Sequence, residues 1–201
     1  MKKYQLFAAA AIVALASCTK NGQTTPPEIT DPLEDGKPVP VLFSAASPKL
    51  QVKSVGAVDK AWNSQELKIY GYDRTVTDFT QAAFIDNVSA TAPAEGSKGA
   101  IDVYNPAYDN EPFYYVTGKN YDFYGYHIDD AATGEPVKTA ASVAVPFEIN
   151  GSQDLMLAKA DQKTDIDAAG KTDEVSVDKA YSAFAARRGV QPNLLFKHQL
   201  A

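Results

Sequence analysis

The residues of this chain with chemistry to offer are two histidines, one cysteine and a crowd of tyrosines. His127 stands just before Asp129 and Asp130, the kind of grouping a metal site or an acid–base centre uses. A zinc site needs three or four ligands at short, fixed spacings. The other histidine, His198, lies far along the chain, and no HExxH pair occurs. A structural or surface role for His127 is therefore the favoured reading. Nucleophile-elbow, Walker and dinucleotide fingerprints are absent as well. We expect a protein that is not an enzyme, with no catalytic residue, no cofactor and no metal.

The stretch from Asp161 to Asp173 (DQKTDIDAAGKTD) is acidic enough to raise calcium. Setting Asp165, Asp167 and Gly170 at positions 1, 3 and 6 of an EF-hand loop puts Ala169 at position 5. Ser176 then falls where a bidentate glutamate is required. Two ligands fail, and a solvated loop is the better reading.

The tyrosines concentrate at Tyr114, Tyr115, Tyr121, Tyr124 and Tyr126, with Phe113 and Phe123 among them. Aromatic faces stack on sugars, so a glycan platform is one reading. The other is that alternate rings fill a β-sandwich core while the rest cover its outer face and keep their hydroxyls wet. The second is favoured.

Cys18 is the only cysteine. Lys2 and Lys3 precede an apolar run from Leu6 to Ala16. A run of about 11 residues suits a signal-peptide core and is too short for a permanent membrane span. Leu15-Ala16-Ser17-Cys18 resembles the bacterial lipobox, which implies cleavage between Ser17 and Cys18 and a lipid on the cysteine. Each buried CH2 of such a lipid contributes about 0.8 kcal/mol, and stable anchoring takes two or more chains. Residues 1–17 thus read as a lipoprotein signal peptide. Residues 18–40 read as a lipidated cysteine and flexible tether, because Pro26, Pro27, Pro32, Pro38 and Pro40 lie among residues with little to bury.

The remainder, 41–201, is long enough for one domain with a real core, and no cysteine is left to staple it with a disulfide. The formal charge is -6, and removal of Lys2 and Lys3 makes the mature chain more acidic. Without a basic cluster, this acidity argues against nucleic acid as a partner, and none is expected.

Period-two patterning dominates this domain. Strands are expected at Val41–Ala45, Lys49–Val55, Leu67–Tyr72, Ala83–Val88, Ile101–Tyr104, Phe113–Val116, Tyr121–Ile128, Val143–Ile149, Leu155–Ala158 and Asn193–Leu200. Ser89–Gly99 reads as loop, and Asn105-Pro106 begins a turn. Thr117-Gly118-Lys119-Asn120 reads as a hairpin turn between two aromatic strands. One helix is expected over Lys179–Arg188, with Asp178 as cap and Gly189 as stop. The fold class is all-β, a sandwich with one short helix near the C-terminus.

The order of these features resembles the fimbrillin-like lipoproteins of Bacteroidales, the Mfa-like and FimA-like pilus proteins. Behind the lipobox and tether, the family's first strand is matched by Val41-Leu42-Phe43-Ser44-Ala45. Its tryptophan before an aliphatic strand is matched by Trp62 and Leu67-Lys68-Ile69-Tyr70. Its aromatic strand is matched by Tyr121-Asp122-Phe123-Tyr124-Gly125-Tyr126. Asp154-Leu155-Met156-Leu157-Ala158 and Leu194-Leu195-Phe196-Lys197-His198-Gln199-Leu200 match two later segments. The resemblance spans essentially the whole chain, as the N-terminal part of the family.

It implies a transthyretin-like β-sandwich, delivered to the outer membrane as a lipoprotein and displayed on the surface or in a fimbrium. A protease cuts after a basic residue near the first strand, and a strand from another subunit fills the opened groove. Lys49, Lys53 and Arg74 are basic residues after the first strand, and none lies in a clear cleavage motif. Family members continue into a second sandwich, so a chain ending at Ala201 is expected to be a fragment or to lack its C-terminal half. Thr19-Lys20-Asn21-Gly22 lacks the acidic run that promotes surface export in many lipoproteins of that phylum. The expected function is a fimbrial subunit or surface adhesin, with other subunits and surface glycans or proteins as partners. The alternative is a lipid-anchored carbohydrate-binding protein that uses exposed aromatics.

Overall fold

The computed structural model describes residues 37–47, 62–96, 98–129, 132–148, 154–162 and 179–199. The expected signal peptide, Ser17, Cys18, most of the expected tether, the Lys49–Val55 segment and most of the acidic stretch lie outside these residues. So do Asp130 and Asp178.

Among the described residues, ten strands and one helix follow in order. They are β1 (Phe43–Ala46), β2 (Glu66–Asp73), β3 (Ile85–Thr91), β4 (Lys98–Ile101), β5 (Tyr121–Ile128), β6 (Val137–Lys138), β7 (Val143–Ala144), β8 (Leu155–Lys159), α1 (Ala183–Arg187), β9 (Asn193–Leu195) and β10 (Lys197–His198). A five-stranded sheet has the order β10-β8-β5-β2-β3, and a three-stranded sheet the order β4-β1-β9. The β6-β7 ribbon is a separate small unit. The chain is an all-β sandwich with one short helix near its C-terminus.

Strand β5 shows why the layers face as they do. Its residues alternate between buried and half-buried along its whole length. Tyr121, Phe123 and His127 point inward, and Tyr124, Tyr126 and Ile128 point outward, as the two-residue period of a strand requires. Phe43 of β1 meets Phe123 edge-on at 5.1 Å, joining the sheets. Trp62 meets Phe196 edge-on at 5.4 Å, and Leu67, Ile69, Ile85, Met156 and Leu194 fill the space between. Gly125 is needed under that lid. A Cβ there would stand 2.8 Å from Phe196 Cζ.

Four sequence expectations are corrected. First, the turn at Thr117–Asn120 does not close a hairpin. Phe113–Val116 pairs instead with the chain ahead of β1, through Val41 N to Phe113 O at 2.8 Å and Tyr115 N to Val39 O at 2.9 Å. Tyr115 therefore lies in the layer opposite β5, with its ring 5.9 Å from Tyr121. Two aromatic segments with buried alternate faces can pack face to face as readily as side by side.

Second, Asn193–Leu200 is not one strand. It divides at Phe196, with β9 parallel to β1 and β10 antiparallel to β8. Leu194 and Phe196 are both fully buried, so the chain passes from one sheet to the other across the core. Third, Ser89–Thr91 and Lys98–Gly99 belong to β3 and β4 and not to the expected loop.

Fourth, the helix is shorter than expected. Lys179 has a positive φ of 59°, and Tyr181 pairs with Tyr121 as an isolated bridge. Ser182 is the cap, its hydroxyl accepting from Ala185 N at 3.1 Å. Gly189, with φ of 80°, ends the helix in the left-handed region.

Candidate binding groove

The outward rows of the five-stranded sheet gather side chains that sequence order keeps apart. Tyr124 is in register with Tyr70 on β2 and Lys159 on β8. One row on, Tyr126 is in register with Lys68 and Leu157, and Leu157 with Lys197 of β10. Tyr72 follows Tyr70 on the same face, and the two rings stack with centroids 6.1 Å apart. Tyr70 also stacks on Tyr126 at 6.4 Å, and Phe79 meets Tyr72 edge-on at 4.9 Å.

The segment after β5 crosses this face and makes it a groove. Ala140 O accepts from Phe79 N at 3.3 Å, and Lys138 reaches Asp86 of β3 at 2.5 Å. Lys138 also stands 5.9 Å from the Tyr70 ring centroid, within cation–π range. Between this arm and the sheet is a groove of about 820 Å3, whose further walls include Val143, Val145 and Phe147. Leu157 and Phe147 remain largely exposed, at 49% and 39%.

Among the described residues, two hydroxyls beside the groove lack partners, as does that of Tyr115 in the core. The OH groups of Tyr70 and Tyr72 are enclosed and have no hydrogen-bond partner among the described residues. An enclosed polar group without a partner costs about 1–3 kcal/mol. Burial raises the pKa of both rings, so both hydroxyls stay protonated donors at neutral pH. Tyr126 is different. Its OH donates to Asn87 Oδ1 at 2.9 Å. Asn87 has a positive φ of 52° where the β2-β3 register shifts. That bulge turns its side chain toward the groove.

At the β8 side stand two lysines. Lys159 Nζ lies 5.3 Å from the Tyr124 ring centroid. Lys197 is its diagonal neighbour across β8 and β10, at the spacing where side chains still feel each other. Among the described residues neither has a carboxylate partner.

The histidines come together without making a metal site. His127 and His198 both stand in register with Met156, one on each side of it. His127 Nδ1 faces Glu66 O at 2.7 Å and its Nε2 faces Asp129 Oδ1 at 3.2 Å. Asp129 Oδ2 accepts from Asp154 N at 2.8 Å, and Asp154 Oδ1 meets His198 Nδ1 at 2.6 Å. These bonds tie β2, β5, β8 and β10 together. The described residues contain no group of histidines and carboxylates arranged to hold a metal ion.

The tyrosines singled out from sequence separate into three groups. Tyr115 and Tyr121 are core, with Phe113 and Phe123. Tyr114 stands at the edge, its OH on Glu111 Oε2 at 2.9 Å. Tyr124 and Tyr126 line the groove. Tyr70, Tyr72, Phe79 and Leu157 complete it, and sequence reading missed them as site residues. The signal was present in Tyr70-Gly71-Tyr72, whose two rings share a face by strand periodicity. No protein-family model, curated protein or solved structure matches the chain.

Proposed function

We propose that this chain is a non-enzymatic fimbrial subunit or surface adhesin, exported as a lipoprotein on Cys18, held at the outer membrane and assembled by β-strand exchange with other subunits. The observation that carries this reading is the place of β1. It is the first strand of the domain, yet it lies in the middle of the three-stranded sheet, antiparallel to β4 and parallel to β9. Its loss would bare a facing edge on each neighbour and vacate the space that Val41, Phe43 and Ala45 fill. Such a slot binds an extended segment through backbone hydrogen bonds and reads its alternate side chains for register.

Topology supports a cut between β1 and β2 for this mode of assembly. Cleavage between β1 and β2 releases β1 alone. Arg74 is a poor site. It follows β2, which pairs with both β3 and β5, and a cut there would remove an inner strand of the larger sheet. Its guanidinium is also engaged, with Asp122 Oδ1 at 3.0 Å and Lys179 O at 2.8 Å. Lys49, Lys53 and Lys60 lie between β1 and β2 in sequence.

The test is expression of the full gene in a lipoprotein-processing host, with and without a trypsin-like protease. Detergent-resistant polymers visible by microscopy after cleavage, and labelled palmitate lost on Cys18→Ala, are the expected results. Monomers under both conditions would sink the strand-exchange reading.

A further inference from the structure

We propose that the outer groove of the five-stranded sheet binds an amphipathic carboxylate, with its apolar body along Tyr124, Tyr126 and Leu157 and its head between Lys159 and Lys197. The site is on the opposite sheet from β1 and is independent of strand exchange.

Size comes first. A groove of about 820 Å3 lies in the range that encloses one small molecule. The wall chemistry then selects the body. Ile128, Val143, Val145, Leu155 and Leu157 offer no hydrogen bonds. A glycan carries a hydroxyl on most of its carbons, and aliphatic walls would leave those hydroxyls without partners. An alkyl or fused-ring body loses nothing there and gains the burial of its own apolar surface.

Charge selects the head. The chain as a whole is acidic, yet Lys159 and Lys197 stand as like-charged diagonal neighbours at the rim. Like charges so placed repel each other, and a carboxylate between them relieves both. The same group would suit Lys159 where it lies over Tyr124, because the ring holds the ammonium in place.

The experiment is calorimetric titration of the purified full chain with laurate below its micelle concentration. Dodecanol, dodecyltrimethylammonium and maltohexaose serve as the uncharged, cationic and glycan comparisons. The expected result is saturable binding of laurate, weaker for both other alkyl compounds, with no heat from maltohexaose. The Lys159→Gln, Lys197→Gln double variant should weaken laurate about tenfold, the size expected for loss of a partly exposed ion pair and its approach to the ring. Leu157→Asp, at a largely exposed position, should abolish binding while the circular dichroism spectrum stays unchanged. Equal binding of laurate and dodecyltrimethylammonium would overturn the proposal. Laurate binding that survives Leu157→Asp, or saturable maltohexaose binding, would overturn it too.

Discussion

The two faces of β5 carry the same residue types and put them to opposite uses. On the inner face Tyr121 and Phe123 pack against Phe43, Tyr115 and Tyr181, with Phe123 fully enclosed. On the outer face Tyr126 stacks on Tyr70, and Tyr124 lines the same groove, which is open to water. An aromatic ring gives a sandwich its cohesion when both of its faces are covered by protein. It becomes a ligand surface when one face is left over. Composition does not distinguish these cases, and burial does.

Alkali should break this contrast most strongly, because it acts on several enclosed rings at once. Burial raises the phenol pKa of Tyr115, Tyr121 and Tyr181, the last to about 12. In the unfolded chain these groups ionise near 10.0. Above that pH the unfolded state has fewer bound protons than the folded state, so stability falls as pH rises. The stabilising contribution is complete below pH 10.0 and disappears as pH rises through the folded values. Urea midpoints measured across this alkaline window should drop together with a cooperative rise in tyrosinate absorbance. A stepwise rise without unfolding would show that the rings are open to solvent.

Single substitutions sharpen the same comparison. Phe123→Ala should cost about 3–5 kcal/mol, the usual penalty for emptying a fully buried aromatic site. Tyr126→Ala on the neighbouring face should cost only about 1 kcal/mol, chiefly the bond to Asn87. The two urea midpoints should differ plainly at unchanged slope. Similar losses for both would mean that the outer ring is core as well.

Gly125→Ala comes next, at about 1–3 kcal/mol, because the new methyl meets Phe196 Cζ at 2.8 Å. Adding Phe196→Leu should recover part of that loss, and a double-mutant cycle reads the coupling. Additive effects would argue that the ring is not the obstacle.

The smallest effect is expected at Tyr70→Phe. This change removes an enclosed hydroxyl that has no partner, so stability should hold within about 0.5 kcal/mol or rise. A clear loss would reveal a hydrogen bond to a part of the chain outside the described residues.

Much of the architecture was legible from local pattern. Strict alternation from Tyr121 to Ile128 located β5 to the residue, and Leu67–Tyr72 marked the centre of β2. Gly189 marked the helix stop because only a glycine takes that φ without strain. The cap was misplaced, since Asp178 and Ser182 both suit that role and the bridge of Tyr181 to Tyr121 favours the later one. The candidate site was half legible. Tyr124 and Tyr126 stood out in sequence, whereas their neighbours Tyr70, Tyr72 and Leu157 come from distant segments.

By itself the sequence determined which residues alternate, where the chain turns and that an apolar run ending at Leu15-Ala16-Ser17-Cys18 precedes a proline-rich stretch. These follow from interactions within a few residues, which a strand period, a proline or a glycine reports directly. Tertiary structure alone decided that Phe113–Val116 faces β5 from the other layer, that Phe196 carries the chain between sheets, and that His127 and His198 flank Met156. It also decided that four tyrosines from two strands share one groove. The reason is physical. Alternation sends each ring to one side of its own strand, while the strand that lies beside it is chosen by packing and register between segments far apart in the chain.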